Sequence, residues 1–175
     1  MKVFLWSKWK EERKANATVE AALVFPIMIT MLFGGVDIGM GLLINKKLIS
    51  ASQIAADLIT RESFTTDDEL DQAIEAARLA MDPYATGSFG IDVAGIQFQG
   101  ADAQPAVDWR TTVNMLPNGD VLIDAAGLGA ENEGVVAVTT VYTFTPPFGD
   151  ILTGNIQMQE VAYARGRVTP FVSKR

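Results

Sequence analysis

The stretch Ala21-Ala-Leu-Val-Phe-Pro-Ile-Met-Ile-Thr-Met-Leu-Phe-Gly-Gly-Val36 holds no charged residue, and from Val36 to Ile44 the only charge is Asp37. As a helix, Ala21 to Ile44 measures about 36 Å, enough to cross a hydrocarbon core of about 30 Å. A buried core helix is the first alternative, but apolar runs of roughly 18 residues or more rarely stay soluble. A cleaved secretory signal is the second. Its apolar region runs about 7–15 residues and ends in a small-x-small site. Here the run is longer and passes into Asn45-Lys-Lys-Leu48, which is no such site. The segment reads as a retained anchor, and the chain as a single-pass membrane protein.

Charge sets the expected orientation. Lys2, Lys8, Lys10, Arg13 and Lys14 precede the span, against Lys46, Lys47 and Arg61 within a comparable distance after it. The excess places the tail in the cytoplasm and the larger C-terminal part on the far side of the membrane, as an exported domain. That part, Asn45 to Arg175, carries 9 Lys or Arg and 17 Asp or Glu, a formal charge of −8. A surface so acidic argues against nucleic acid as a partner, which needs a basic face. The 175 residues include no Cys and no His. The fold therefore uses no disulfide, and the commonest metal ligand and general base is missing.

Periodicity extends the helix beyond the membrane. Leu48, Ala51, Ala55, Leu58 and Ile59 recur at spacings of three and four, so one helix is expected from Thr18 to Glu62, with an amphipathic second half. After a break at Ser63 to Thr66, Thr66-Asp-Asp-Glu69 reads as a capping box. The helix it opens has Leu70, Ala73, Ile74, Ala77 and Met81 as its apolar stripe and ends at Pro83. The remainder reads as about five mostly antiparallel strands. These are Ser88 to Gln99 with a bulge at Ala94-Gly95, Val107 to Met115, a short return strand Val121 to Ala125, Gly134 to Thr145, and Ile156 to Val168. The expected class is α+β, helix packed on sheet. The division is residues 1–15 as basic tail or leader, 16–44 as transmembrane helix, 45–62 as its soluble continuation, and 63–175 as exported domain.

Little in the chain supports conventional catalysis. A Ser-His-Asp or Cys-His arrangement is impossible, and no phosphate loop of the G-x-x-x-x-G-K type occurs. Asp120 with Asp124, or Glu131 with Glu133, offers oxygen ligands for calcium, but a solvated turn accounts for both pairs. No cofactor and no enzymatic activity are expected.

The informative residues lie where the chain enters the membrane. Glu20 places a carboxylate at the start of an apolar helix, just after the basic tail. By itself this is an acid welcomed by a helix N-terminus at the interface. The stretch Ala17-Thr-Val-Glu-Ala-Ala-Leu-Val-Phe-Pro26, followed by Leu32-Phe-Gly-Gly-Val-Asp-Ile-Gly39, resembles the TadE/TadG-like pilus assembly proteins. Thr140-Val-Tyr-Thr-Phe-Thr-Pro-Pro-Phe148 and Ile156 to Arg165 resemble the family's last two strands more weakly. The resemblance implies a pilin-like fold and a minor pilin or pseudopilin of the tight-adherence (Flp-type) system, of the short TadE type, held in the bacterial inner membrane with its C-terminal domain in the periplasm. It implies cutting by a prepilin peptidase between Ala15 and Asn16, with Glu20 as the assembly acid of the mature chain and other pilins as helix partners. Ala15 stands where prepilins usually carry Gly, and Ala21 where an aromatic often follows the acid.

Two faces of the span are candidates for packing. Gly34, Asp37 and Gly41 share one face, and Gly35 and Gly39 form a G-x-x-x-G on another. Asp37 is either a functional acid within the span or a residue at the outer headgroups. The rival readings are an adhesin or binding module merely anchored by the helix, and a periplasmic enzyme on a signal anchor. Glu20 separates the first rival, since an anchored module has no need of it. A deep polar pocket would mark the second.

Overall fold

The computed structural model describes the backbone of residues 3–149 and 154–175, and side chains from residue 17 onward. Helix α1 runs Val3–Ile59 with Pro26 inside it. The proline removes one backbone donor, and nearby Thr30 donates its hydroxyl to the Pro26 carbonyl at 2.9 Å. The amphipathic half is covered by the rest of the chain. Leu48, Ala51 and Ala55 are fully buried, and Ala56, Ile59 and Thr60 nearly so. Small side chains at 51, 55 and 56 let the helix axis lie close to what it packs on.

The chain then forms β1 (Phe64–Thr65) and α2 (Asp67–Leu79). The capping box is present in full. Thr66 N–H donates to Glu69 Oε2 at 2.9 Å, and Glu69 N–H donates to Thr66 Oγ1 at 3.3 Å. Leu70, Ala73, Ile74 and Ala77 form the buried stripe of α2, and Met81 is buried just beyond it. The helix stops at Leu79, one turn before Pro83.

Four strands make an antiparallel sheet in the order β3-β2-β4-β5: β2 (Gly90–Gln99), β3 (Gln104–Val113), β4 (Gly134–Phe144) and β5 (Ile156–Arg165). A short strand β6 (Ser173–Lys174) pairs in parallel with β1. The bulge foreseen near Ala94-Gly95 is a register shift against β3 between Gly95 and Ile96. Its position has a packing reason, because the Trp109 indole lies directly over Gly95 and any Cβ there would strike the ring. Trp109 Nε1–H in turn donates to the Val172 carbonyl at 2.8 Å, which ties the C-terminal segment to β3.

The sheet is covered on both faces. On one, Ile91, Val93, Val136, Val138, Tyr142 and Phe144 meet α1 and α2. On the other, Ala94, Ile96, Phe98, Val135 and Ala137 lie under the connection between β3 and β4. Here the structure corrects the expected return strand. Val121–Ala125 is a short helix, α3. Val121 and Ala125, four residues apart, both point into the second core, a helical spacing that a strand would not give. An ion pair also pins this connection. Arg110 Nε–H donates to Asp92 Oδ1 at 2.8 Å, and the Asn118 amide donates to Asp92 Oδ2 at 2.9 Å. Asp92 is 1% exposed, so it needs these partners. The Asp92 carboxylate, chiefly by hydrogen bonding, raises the Arg110 pKa above its ordinary value.

The strand count differs as well. β3 begins at Gln104 rather than Val107 and takes in Pro105, which an edge strand tolerates. The last long strand ends at Arg165, and the chain turns back so that Arg167 N–H donates to the Thr60 carbonyl at 3.0 Å, closing the C-terminal end of α1.

Candidate functional site

Along α1, burial by the soluble domain starts abruptly. From Ala17 to Val36 the helix is largely bare, with side chains such as Leu23 (69% exposed) and Met31 (73%) standing free and only Ile29, Phe33 and Gly34 half-buried. Asp37 is 7% exposed, and buried positions then follow at Gly41, Ile44, Leu48 and Ala51. The bare stretch, roughly 20 residues, measures about 30 Å, the thickness of a hydrocarbon core. Full burial thus begins about two turns closer to the N-terminus than residue 45, where the soluble continuation was expected to begin.

The element that reaches down is the connection after β4. Phe148 stacks on Phe33 with ring centroids 4.3 Å apart and planes 9° from parallel. The Phe148 amide donates to Asp37 Oδ1 at 3.3 Å. The carboxylate therefore holds a backbone donor of the chain's own loop, across 111 residues of sequence. Gly41 belongs to the same contact. A Cβ at that position would sit 3.5 Å from both Met158 Cε and Phe144 Cε1. An apolar groove of about 400 Å³ opens beside it, between Gly34, Ile38 and Leu42 of the helix and Pro146, Ile156 and Met158 of the domain; Asp37 and Asn45 also border it.

The second glycine face is different. At Gly35 and Gly39 an added Cβ would meet nothing within 4 Å. Of the two faces singled out in the sequence, the one with Gly34, Asp37 and Gly41 is engaged by the chain's own domain, and the one with Gly35 and Gly39 is open. Glu20 lies exposed on the bare helix. Ala15 and Asn16 fall outside the residues whose side chains are described.

Residues 16–57 match the family model of TadE-like proteins. The TadE-like segment takes in the bare helix and most of its covered continuation, and ends two residues before α1 does. With one helix long and apolar enough to cross a membrane among the described residues, the chain fits a single-pass membrane protein. No curated protein and no solved structure matches the chain.

Sequence reasoning missed the Phe148 contact. Pro146-Pro-Phe-Gly149 is visible as a turn that closes β4. Nothing periodic connects it to Phe33 and Asp37, because the contact depends on where β4 ends relative to α1. Among the described residues no cluster of three or more acidic groups is placed to hold a metal. Glu133 accepts the Ala130 amide at 2.9 Å and pairs with Arg165 at 3.5 Å.

Proposed function

We propose that this chain is a minor pilin or pseudopilin-like structural component of a tight-adherence pilus or its assembly machinery, acting through helix–helix assembly and not as an enzyme. Supporting this most directly is the bare helix from Ala17 to Val36, which carries Glu20 near its start and an open Gly35/Gly39 face. An apolar surface of that extent is covered by lipid or by other helices. Glycines at that spacing let a second backbone approach closely. The N-terminus lies in the cytoplasm and the domain in the periplasm, as the tail charges favour.

In this reading a prepilin peptidase cuts between Ala15 and Asn16, leaving an α-amino group that is largely charged near neutrality, with an ordinary pKa of about 7.7–8.0. Entry into a bundle of pilin helices would strand that charge in an apolar setting at a cost of several kcal/mol unless it is paired. Glu20 is four positions away, on the same helical face, and offers the counter-charge to its own amine or to a neighbour's.

The test is intact mass of the protein from its native membrane, together with crosslinking to pilin partners, for wild type and Glu20→Gln. The variant is expected to insert and be cut while its partner crosslinks fall severalfold. A wild-type chain that retains residues 1–15 in cells with an active peptidase would end the mechanism.

A further inference from the structure

We propose that the free edge of β5 accepts an added strand from another protein: an extended segment, antiparallel to β5, with a basic residue opposite Glu160 and apolar residues opposite Met158 and Ile156. The proposal does not depend on the pilin reading. The four-stranded sheet ends at β3 on one side and at β5 on the other. β3 carries Pro105 and a bulge at Asp108, which its register with β2 skips, and both features blunt an edge. β5 has neither. It pairs with β4 without a break from Ile156 to Arg165 and contains no Pro, Gly or Lys. Among the described residues no strand pairs with its outer side. The Thr140 hydroxyl donates to the Glu160 carbonyl at 3.5 Å, so that carbonyl points toward β4. By the alternation of an antiparallel ladder, Gln157, Gln159, Val161 and Tyr163 then turn their N–H and C=O groups outward.

The side chains along this edge select the occupant. Ile156, Met158 and Glu160 alternate onto the face toward α1. The apolar groove lies between the first two and the flank of α1 at Gly34, Ile38 and Leu42. A strand added about 4.8 Å from β5 drops its residues opposite Ile156 and Met158 into that groove. Glu160 comes next on the same face. It is half-buried, and among the described residues its carboxylate has no ion pair and no hydrogen bond. A Lys or Arg on the incoming strand supplies the missing partner. Asp37, the carboxylate bordering the groove, already accepts the Phe148 amide. From its N-terminus the occupant therefore reads basic-x-apolar-x-apolar. The β5 of a second copy does not serve. β5 runs with α1, from Met158 beside Gly41 to Arg165, just before Arg167 meets Thr60. An antiparallel β5 from another copy would point its membrane helix the opposite way.

The experiment uses the full chain in detergent micelles and a fluorescent peptide, Thr-Lys-Thr-Val-Thr-Val-Thr, whose Lys opposes Glu160 and whose valines oppose Met158 and Ile156. Anisotropy is expected to show saturable binding. Hydrogen exchange should slow at the amides of Gln157, Gln159 and Val161 and stay unchanged at Met158 and Glu160, which already bond to β4. N-methylation of the two threonines flanking the first valine, whose N–H groups face β5, should abolish binding, while N-methylation of the valines should not. Glu160→Gln should weaken binding roughly fivefold, the upper effect of an opposite-charge cross-strand pair, with an unchanged thermal melt. Glu160→Lys should restore affinity for a peptide carrying Glu in place of Lys. No saturable binding up to about 1 mM would overturn the proposal. So would equal binding of the threonine-methylated peptide, or failure of the charge exchange. Disulfide-linked dimers of Gln159→Cys, in a chain with no other Cys, would give the edge to a second copy and overturn it as well.

Discussion

The two halves of α1 belong to one continuous helix and have opposite fates. From Ala17 to Val36 the helix presents Leu, Phe, Ile and Met outward. From Asp37 to Thr60 it turns one stripe into the core of the soluble domain and keeps polar residues such as Gln53 outside. The first half needs a second molecule or a membrane to be covered, and the second is covered by its own chain. The helix is continuous through the boundary. At the boundary the contrast narrows to two glycine faces, one under the Phe148 loop and one open.

This contrast is sharpest in the covered half. Leu48→Ala removes a fully buried side chain between helix and sheet and is expected to cost about 2–5 kcal/mol. The loss should be read as a lowered thermal midpoint of the domain in detergent. An equal truncation at Leu23 on the bare half should leave that midpoint unchanged, and an equal loss at both sites would erase the distinction between the halves.

The glycine faces give the next largest difference. Gly41→Leu forces a branched side chain against Phe144 and Met158 and should destabilise the domain by about 1–3 kcal/mol. Gly35→Leu meets open space, so the domain should melt as the wild type does while crosslinking to partner helices falls. If Gly35→Leu lowers the melt and Gly41→Leu does not, the two faces have been assigned the wrong way round.

Phe148→Ala tests the latch itself. Losing the stacked ring should cost about 1 kcal/mol of contact with Phe33, beyond the area lost. Amide hydrogen exchange would rise in the Phe148 loop and around Asp37 and stay unchanged at Leu48. Protection that falls evenly along α1 would mean that the loop is part of the main core.

The smallest effect concerns Asp57 at the far end of the covered half. Its pKa is lowered, first by the hydrogen bond from Arg61 at 2.8 Å and further by the charges of Arg167 and Arg61, against some opposing desolvation. A depressed carboxylate stabilises the fold above the ordinary Asp range, and that contribution disappears as pH falls through the lowered native value. Asp57→Asn should therefore flatten the stability profile only on the acid side, and less so in high salt, since the pair is exposed. A change confined to alkaline pH would contradict this origin.

Much of the architecture was legible because local patterns decide it. An uncharged run of that length has few soluble solutions, the Thr66 and Glu69 spacing caps a helix by geometry, and the Val- and Thr-rich run in β4 alternates as strands do. The error at Val121–Ala125 arose where five residues fit either period. Only the second core, waiting under the β3–β4 connection, selects the helix. Asp92 shows the same limit. Its place in a strand could be read, but its pairing with Arg110 depends on the register between β2 and β3.

The sequence by itself determined a helix long and apolar enough to cross a membrane, the match to TadE-like proteins at 16–57 and the order of helix before sheet. Each depends on residues close together in the chain, where helical or strand geometry fixes which side chains meet. Only the tertiary structure decided that full burial starts at Asp37, and that one glycine face is closed while its neighbour is open. Those outcomes turn on Phe148 meeting Phe33 and Asp37, residues more than a hundred positions away, and a contact of that kind exists only once the whole sheet has placed the end of β4 against the helix.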